Sequence, residues 1–345
     1  MAVQQASPSA VERGHAMPQA GGTSIIGNGL FRSQASQSSS EYLDISAKRT
    51  YILFMAASFT AQTMALQRAL ETARPAESRL FTDPLAIGFL TQPLRTVAAI
   101  ARIPMIGQLV ARAYDAALPG PRPSAVARTR LIDDTVADLV DAGIHQVVLL
   151  GAGFDGRAWR LESLRSATVI EIDRPQTQEV KEAAVRRAGL PCDHVVFVPV
   201  DFESMDLESS LQSVGFTEDP ALFLWEGVTN YLTADAVDRT LAAIRALASP
   251  GSSLLFTFVH AGAIDGSVAF PEAARWSRSV TRVGEPWTFG LRPDELTKFL
   301  AERGYDLIWQ ESTATAGRRY FDALGRADRA SELYRVALAS ITCPA

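Results

Sequence analysis

Apolar positions along the chain change their period near residue 146. From 43 to 143 they recur at helical spacing, as in Ala61 to Thr72, where Arg68 and Glu71 stand among them. Pro75, Pro84, Pro93, Pro104 and the Pro119-Gly120-Pro121 turn cut this stretch into short helices, and Ser124 to Ala142 reads as a longer one. After Gln146 the pattern becomes short continuous apolar runs: Val147 to Leu150, Val169 to Ile172, Val195 to Val200, Ala221 to Trp225 and Ser253 to Phe258. Such runs are expected of strands buried on both faces. Helical segments lie between them, among them Gln176 to Ala188 and Ala234 to Ala248. Strand and helix alternate, which predicts a doubly wound parallel sheet. A helix over Leu296 to Arg303, closed by Gly304, precedes Asp306 to Gln310 and Tyr334 to Ile341, two candidate final strands.

Residues 1–42 carry no such pattern. They are rich in Ser, Gln, Gly, Ala and Pro, and cannot bury enough surface to offset chain entropy. The expected division is therefore a disordered tail at 1–42, a helical region at 43–143 and an α/β core at 144–345. The tail's few basic residues make a transit peptide the weaker alternative.

Composition narrows the function. The 345 residues carry a net charge of −5, which disfavours non-specific nucleic-acid binding. Cys192 and Cys343 have no partners at metal-ligand spacing, so neither a metal site nor a disulfide framework is expected. No run reaches the roughly 18 apolar residues of a membrane span. Tyr51 to Leu66 comes nearest, but Ser58, Thr60, Gln62 and Thr63 interrupt it, and it reads as a buried helix. A cytoplasmic location without a membrane partner is expected.

The candidate chemistry sits at the strand ends. The first strand runs into Gly151-Ala152-Gly153-Phe154-Asp155-Gly156, a strand–turn–helix motif in which glycine lets backbone approach a ligand. Alone it also fits a dinucleotide fold, and a bare tight turn is the plain alternative. The second strand ends in Glu171-Ile172-Asp173, where a carboxylate can accept from ribose hydroxyls; Asp173, nearer the strand's end, is favoured over Glu171. The third ends in Asp201-Phe202, suited to an adenine amino group and ring, and the fourth in Trp225-Glu226-Gly227. Each acid has a plain alternative as a helix cap or loop residue. Three acids on one rim would repel a pyrophosphate, whereas S-adenosylmethionine, with its sulfonium and ammonium, tolerates them and needs one basic partner. Arg128 is the candidate for the methionine carboxylate, although it is equally placed to pair with Asp133 or Asp134.

These segments resemble the leucine carboxyl methyltransferase family. The resemblance rests on Arg128 to Asp134, Gly151 to Arg157, Glu171 to Pro175 and Trp225 to Leu232. Arg68-Ala69-Leu70-Glu71, Asp83 to Ala86 and Phe289-Gly290-Leu291 are similar to its bacterial branch, some of whose members serve natural-product and polyketide pathways. It covers roughly 45–341, and the tail has no counterpart in it. It implies a class I methyltransferase fold: α/β, Rossmann-like, with a mostly parallel seven-stranded sheet, helices on both faces and a helical N-terminal lid. It also implies that Arg128 holds the cofactor's carboxylate, with Gly151, Ala152 and Gly153 against its methionine portion. Asp173 would take the ribose, Asp201 and Phe202 the adenine side, and Glu226 the amino group. A structural role is the alternative for Arg157.

The expected activity is O-methyl transfer from S-adenosylmethionine to a carboxylate or hydroxyl of a small molecule. A protein C-terminal carboxylate, an NAD(P)-dependent oxidoreductase and a non-catalytic binder are the alternatives. A carboxylate acceptor needs no base; for a hydroxyl, His260 after the fifth strand is the candidate, against a packing role. His145 and His194 precede strands and are expected on the opposite rim. Trp225 and Tyr231 are candidates for the acceptor pocket, with core packing as the alternative for both.

Overall fold

The sheet has seven strands in the order β3-β2-β1-β4-β5-β7-β6. They are β1 (Gln146–Leu150), β2 (Thr168–Asp173), β3 (Val195–Pro199), β4 (Ala221–Trp225), β5 (Ser253–Val259), β6 (Tyr305–Ser312) and β7 (Tyr334–Ile341). The computed structural model describes residues 59–103, 105–200 and 207–342. All of these fall in the unit Arg49–Ala345; the expected tail, and the candidates Asp201 and Phe202, lie outside the described residues.

Strands β1 to β5 pair in parallel, with Leu149 opposite both Glu171 and Leu224, while β7 runs antiparallel between β5 and β6. The order reverses beside β1, so the carboxyl ends of β1 and β4 flank the topological switch point, where ligands bind in open α/β sheets. Every residue of β1, β4 and β5 is buried, as their continuous apolar runs predict.

The helices are α1 (Phe59–Thr72), α2 (Gln92–Ala101), α3 (Ile106–Ala117), α4 (Pro121–Asp141), α5 (Arg157–Arg160), α6 (Pro175–Arg187), α7 (Leu207–Gln212), α8 (Ala234–Leu247), α9 (Gly262–Asp265), α10 (Ala273–Thr281), α11 (Leu296–Ala301) and α12 (Thr313–Asp322). One sheet face, carrying Val147, Leu149, Val169 and Leu224, packs with α1, α4, α6 and α12. The other, carrying Val148, Ile170, Phe223 and Phe256, packs under α7, α8 and α11. The core is thus two apolar layers around one sheet. Helix α4 starts three residues before the expected Ser124, with Gly120 at φ 98° and Pro121 at its first position.

Four of these helices, α7, α9, α10 and α12, have no named counterpart in the sequence reading. Helix α10 falls in a stretch left without an element, and α12 is a ten-residue run containing Gly317 and two threonines. Tertiary contact sustains α12: a Cβ at Gly317 would meet Ala330 Cβ at 3.1 Å, and Ser312 caps its first turn by accepting from Thr315 N–H at 3.1 Å.

Candidate functional site

The glycine turn is built onto the end of β2. Gly151 and Ala152 N–H donate to the Ile172 carbonyl at 2.9 and 3.0 Å. Gly151 has φ 69° and Gly153 φ 48°, in the left-handed region that favours glycine. A Cβ at Gly151 would stand 2.4 Å from Val228 Cγ2, so position 151 excludes a side chain on contact as well as on φ. Gly156 is small for another reason: a Cβ there would meet Asp83 Oδ1 at 2.9 Å. Asp83 in turn accepts from Arg68 Nε at 2.8 Å, and Arg68 also bonds the Phe154 carbonyl. Helix α1 and the loop after it therefore clamp the turn from outside.

The two acids of β2 separate cleanly. Asp173 lines the cavity above the sheet; its Oδ2 accepts from Gly153 N–H at 2.5 Å and its Oδ1 from Arg174 N–H at 2.7 Å. Burial raises its pKa above the usual carboxylate range. Glu171 is fully buried beneath α6, 2.5 Å from Lys181 Nζ, and burial pushes it up to about 7. It does not line the cavity.

Glu226, after β4, joins a buried network. Its Oε1 accepts from Arg128 Nε at 2.7 Å and its Oε2 from Arg157 Nη1 at 2.6 Å. Arg157 also reaches Asp133 at 2.7 Å and Asp155 at 2.5 Å, and Arg160 bonds Asp133. Burial alone would raise the pKa of Glu226, but the guanidiniums of Arg157 and Arg128 outweigh it and hold the carboxyl low. Arg128 itself is buried, with its guanidinium 4.7 Å from the centre of the Tyr334 ring. It pairs with neither Asp133 nor Asp134; the latter takes Arg130, four residues earlier on the surface of α4. Arg157 has the structural role considered for it, and one richer than its place after the glycines suggested.

Together these groups form part of the wall of a cavity of about 790 Å³. Arg128, Gly151, Ala152, Gly153, Asp173 and Glu226 all line it, as do Asp155 and Arg157. Apolar and aromatic side chains line it too: Tyr231, Trp276, Val280 and Tyr334, with Thr60, Met64 and Tyr114 from α1 and α3 and Glu285 from the loop after α10. Trp276 stacks on Tyr334 at 5.8 Å and meets Trp287 edge-on at 5.6 Å. Tyr231 is thus at the pocket, and burial raises its hydroxyl pKa, so it stays a neutral donor.

Two candidates are corrected. Trp225 is not at the pocket: it is 1% exposed and packs with Phe223 in the core of the opposite sheet face. His260 does not line the cavity either; its Nδ1 accepts from Gly262 N–H at 2.9 Å and its ring lies against Phe270. Burial, then Arg335 and Arg292, lower its pKa. His145 and His194 stand before β1 and β3, at the opposite rim as expected. The sequence reading missed Trp276, Val280 and Tyr334. The spacing Ala273, Trp276, Val280 would have signalled α10 and its buried stripe.

A glycine turn and acidic rim at the switch point, with an antiparallel β7 inserted beside β5, define the class I methyltransferase fold. A Thermobifida fusca structure described as a methyltransferase superposes with a TM-score of 0.52 at 18% identity, over 80% of this chain and 94% of that one. At that identity the likeness is one of fold. The sequence relatives go further. The leucine carboxyl methyltransferase model matches residues 61–245. A Frankia alni protein assigned to the S-adenosyl-L-methionine-dependent methyltransferases is 33% identical over 240 residues, covering 67% of this chain and 80% of the relative. One from Mycobacterium tuberculosis, with the same assignment, is 34% identical over 207 residues, 55% of this chain. The chain spans 62% of the length of that relative. The chain belongs to the leucine carboxyl methyltransferase family, and S-adenosylmethionine is the cofactor this membership brings.

The residues present fit that group. The turn Gly151 to Gly153 lines the cavity, Asp173 keeps acceptor capacity at the rim, and a buried arginine and acid stand side by side at the cavity wall. The volume lies within the range of about 300–1,000 Å³ usual for small-ligand pockets, and leaves space for an acceptor.

Proposed function

We propose that the protein is an S-adenosylmethionine-dependent O-methyltransferase whose acceptor is a carboxylate or hydroxyl of a small molecule, a secondary metabolite being the fitting class. The observation that carries this reading is one cavity lined both by the charged groups around the glycine turn and by the aromatic side chains Tyr231, Trp276 and Tyr334.

In this reading Arg128 holds the methionine carboxylate, Gly151 to Gly153 lie along the methionine portion, Asp173 takes the ribose hydroxyls and Glu226 takes the amino group. Asp201 and Phe202 are assigned to the adenine side. When bound, the sulfonium supplies an already activated methyl group. The protein's part is alignment and exclusion of water. Tyr231, Trp276 and Tyr334 orient the acceptor by packing, and the Tyr231 hydroxyl donates a hydrogen bond without losing its proton. Among the described residues no histidine or lysine lines the cavity. A carboxylate acceptor, ionised at neutral pH, suits such walls because it requires no base.

Calorimetric titration with S-adenosylhomocysteine tests the cofactor half; saturable binding supports it, and thermal stabilisation by NAD(P) alone overturns it. Transfer of labelled methyl to a panel of small acids, phenols and alcohols tests the acceptor half. Turnover confined to peptides with a free C-terminal carboxylate would move the assignment to protein carboxyl methylation.

A further inference from the structure

The helix pair α2–α3 carries an exposed apolar face that the methyltransferase reading does not use. Val97, Ile100, Ile103, Met105, Ile106 and Leu109 are all exposed large apolar side chains; Ile103 is 50%, Leu109 61% and Met105 84% exposed. Their spacing, three residues apart along α2 and again at the start of α3, puts them on the outer side of the pair. The inner side is occupied by Ala98, Ala101 and Ala111, which are buried. The junction is built rather than slack. Ile106 and Gly107 N–H donate to the Ile103 carbonyl, and a Cβ at Gly107 would lie 2.2 Å from the Ala101 oxygen. Met105, at φ 69°, holds a conformation that side-chain-bearing residues rarely adopt and is the most exposed of the six.

Charge selects the occupant. Although the chain is acidic overall, residues 84–114 contain no aspartate or glutamate and three arginines, Arg95, Arg102 and Arg112. Arg102 and Arg112 are exposed beside the apolar stripe. An isologous contact with a second copy would bring these arginines against themselves. The N-terminal 58 residues offer no acidic surplus: Glu12, Glu41 and Asp44 stand against Arg13, Arg32, Lys48 and Arg49. Apolar side chains flanked by arginines that make no ion pair among the described residues match the interface of an anionic bilayer, where the stripe enters the acyl boundary and the guanidiniums meet lipid phosphates.

We propose that the α2–α3 face docks the protein peripherally on anionic lipid membranes. No helix among the described residues is long and apolar enough to cross a membrane, and this mode needs none. It revises the expectation of no membrane partner, which rested on the lack of a span. The proposal does not depend on methyl transfer, although α3 joins the two places, with Leu109 on the face and Tyr114 at the cavity wall.

The test is co-sedimentation of the full chain with vesicles of phosphatidylcholine alone, and with vesicles in which about a third of the lipid is phosphatidylglycerol. Binding is expected on the anionic vesicles, weakening in high salt. Arg102→Gln and Arg112→Gln should each lower the partition about fivefold. The double variant Ile103→Glu, Leu109→Glu should lose binding while keeping its melting temperature and its affinity for S-adenosylhomocysteine. Failure of the wild type to bind anionic vesicles at low salt overturns the proposal, as does undiminished binding by the double variant. Light scattering in which the double variant turns a dimer into a monomer gives the face to a second copy. Hydrogen exchange showing α2–α3 protected in the free chain by residues 1–58 gives it to that segment. Either result also overturns the proposal.

Discussion

Removing the Arg157 guanidinium should cost more stability than any other single change near the cavity, and the cost should depend on pH. Arg157 is 2% exposed and bonds three carboxylates, those of Asp133, Asp155 and Glu226. Arg128 and Arg160 complete the set, so three cations face three anions. Arg157→Met keeps much of the side chain's volume but leaves one buried negative charge uncompensated. Breaking a buried pair in this way costs about 3–5 kcal/mol, a large part of the roughly 5–15 kcal/mol that holds a domain folded. The sign of the pH dependence follows from the acids. In the wild type Asp155 and Glu226 are held below the usual carboxylate range, against their burial. Their contribution is present above the unfolded-state pKa near 4 and is lost as pH falls through the lower folded values. Without Arg157 the folded pKa values rise, so the deficit of the variant should be full at pH 7 and shrink steadily toward pH 4. Urea unfolding at constant ionic strength across that range measures it. A loss below about 1 kcal/mol at pH 7, or a deficit that does not change with pH, would refute the network account. Arg157→Lys should recover only part of the loss, because one ammonium cannot serve three carboxylates in fixed directions.

Four further outcomes are expected. Gly151→Ala should lower S-adenosylhomocysteine affinity by at least about tenfold and destabilise the fold by about 1–3 kcal/mol; Gly143→Ala, with φ 108° but nothing within 4 Å of the added carbon, should cost stability alone. Asp173→Ala should abolish cofactor binding in calorimetry, and near-normal affinity would withdraw the ribose assignment. Glu171, pushed up to about 7 by burial, should titrate near neutrality by carbon NMR; its contribution to stability is full below the ordinary value of 4.5 and declines as pH rises through about 7, and a midpoint below 5 would contradict its placement. His260→Ala should leave kcat within about threefold, because the ring does not face the cavity; a loss of 10²-fold or more would restore it as a base.

Strand ends were legible because a continuous apolar run stops abruptly at a glycine or a polar residue, as Leu150 stops at Gly151 and Trp225 at Glu226. What lies along a strand's face was harder to read. Glu171 and Asp173 have the same parity and point to the same side of the sheet. Two residues of rise, about 6.6 Å, decide that one lies under α6 against Lys181 and the other reaches the rim. Parity does settle Trp225, which shares a face with Ala221 and Phe223, opposite the layer that contains α4 and Arg128. The aromatic part of the cavity was not legible for a different reason. Its walls come from α1, α3, α10 and β7, elements separated by up to about 270 residues, and only tertiary packing brings Trp276 onto Tyr334.

The same long-range packing explains why the upstream segments carry family likeness without touching chemistry. Glu71 takes both Arg326 nitrogens, at 2.6 and 3.0 Å, and also accepts from Leu80 N–H at 2.8 Å. Arg122 bonds Asp115 and Asp328, and Asp328 also takes Arg326 and Arg74. These buried charges tie α1, α3 and α4 to the loop between α12 and β7. Each guanidinium and carboxylate would be stranded in an apolar layer if the helices moved away from the sheet, at several kcal/mol per ion. Arg68 adds the link from α1 to the glycine turn through Asp83 and Phe154. Helix α1 therefore cannot swing as a free flap. Among the described residues, the exposed run Arg282 to Gly284 also lines the cavity and makes none of these buried ion pairs, so it is a part of the wall less firmly held by charge than α1.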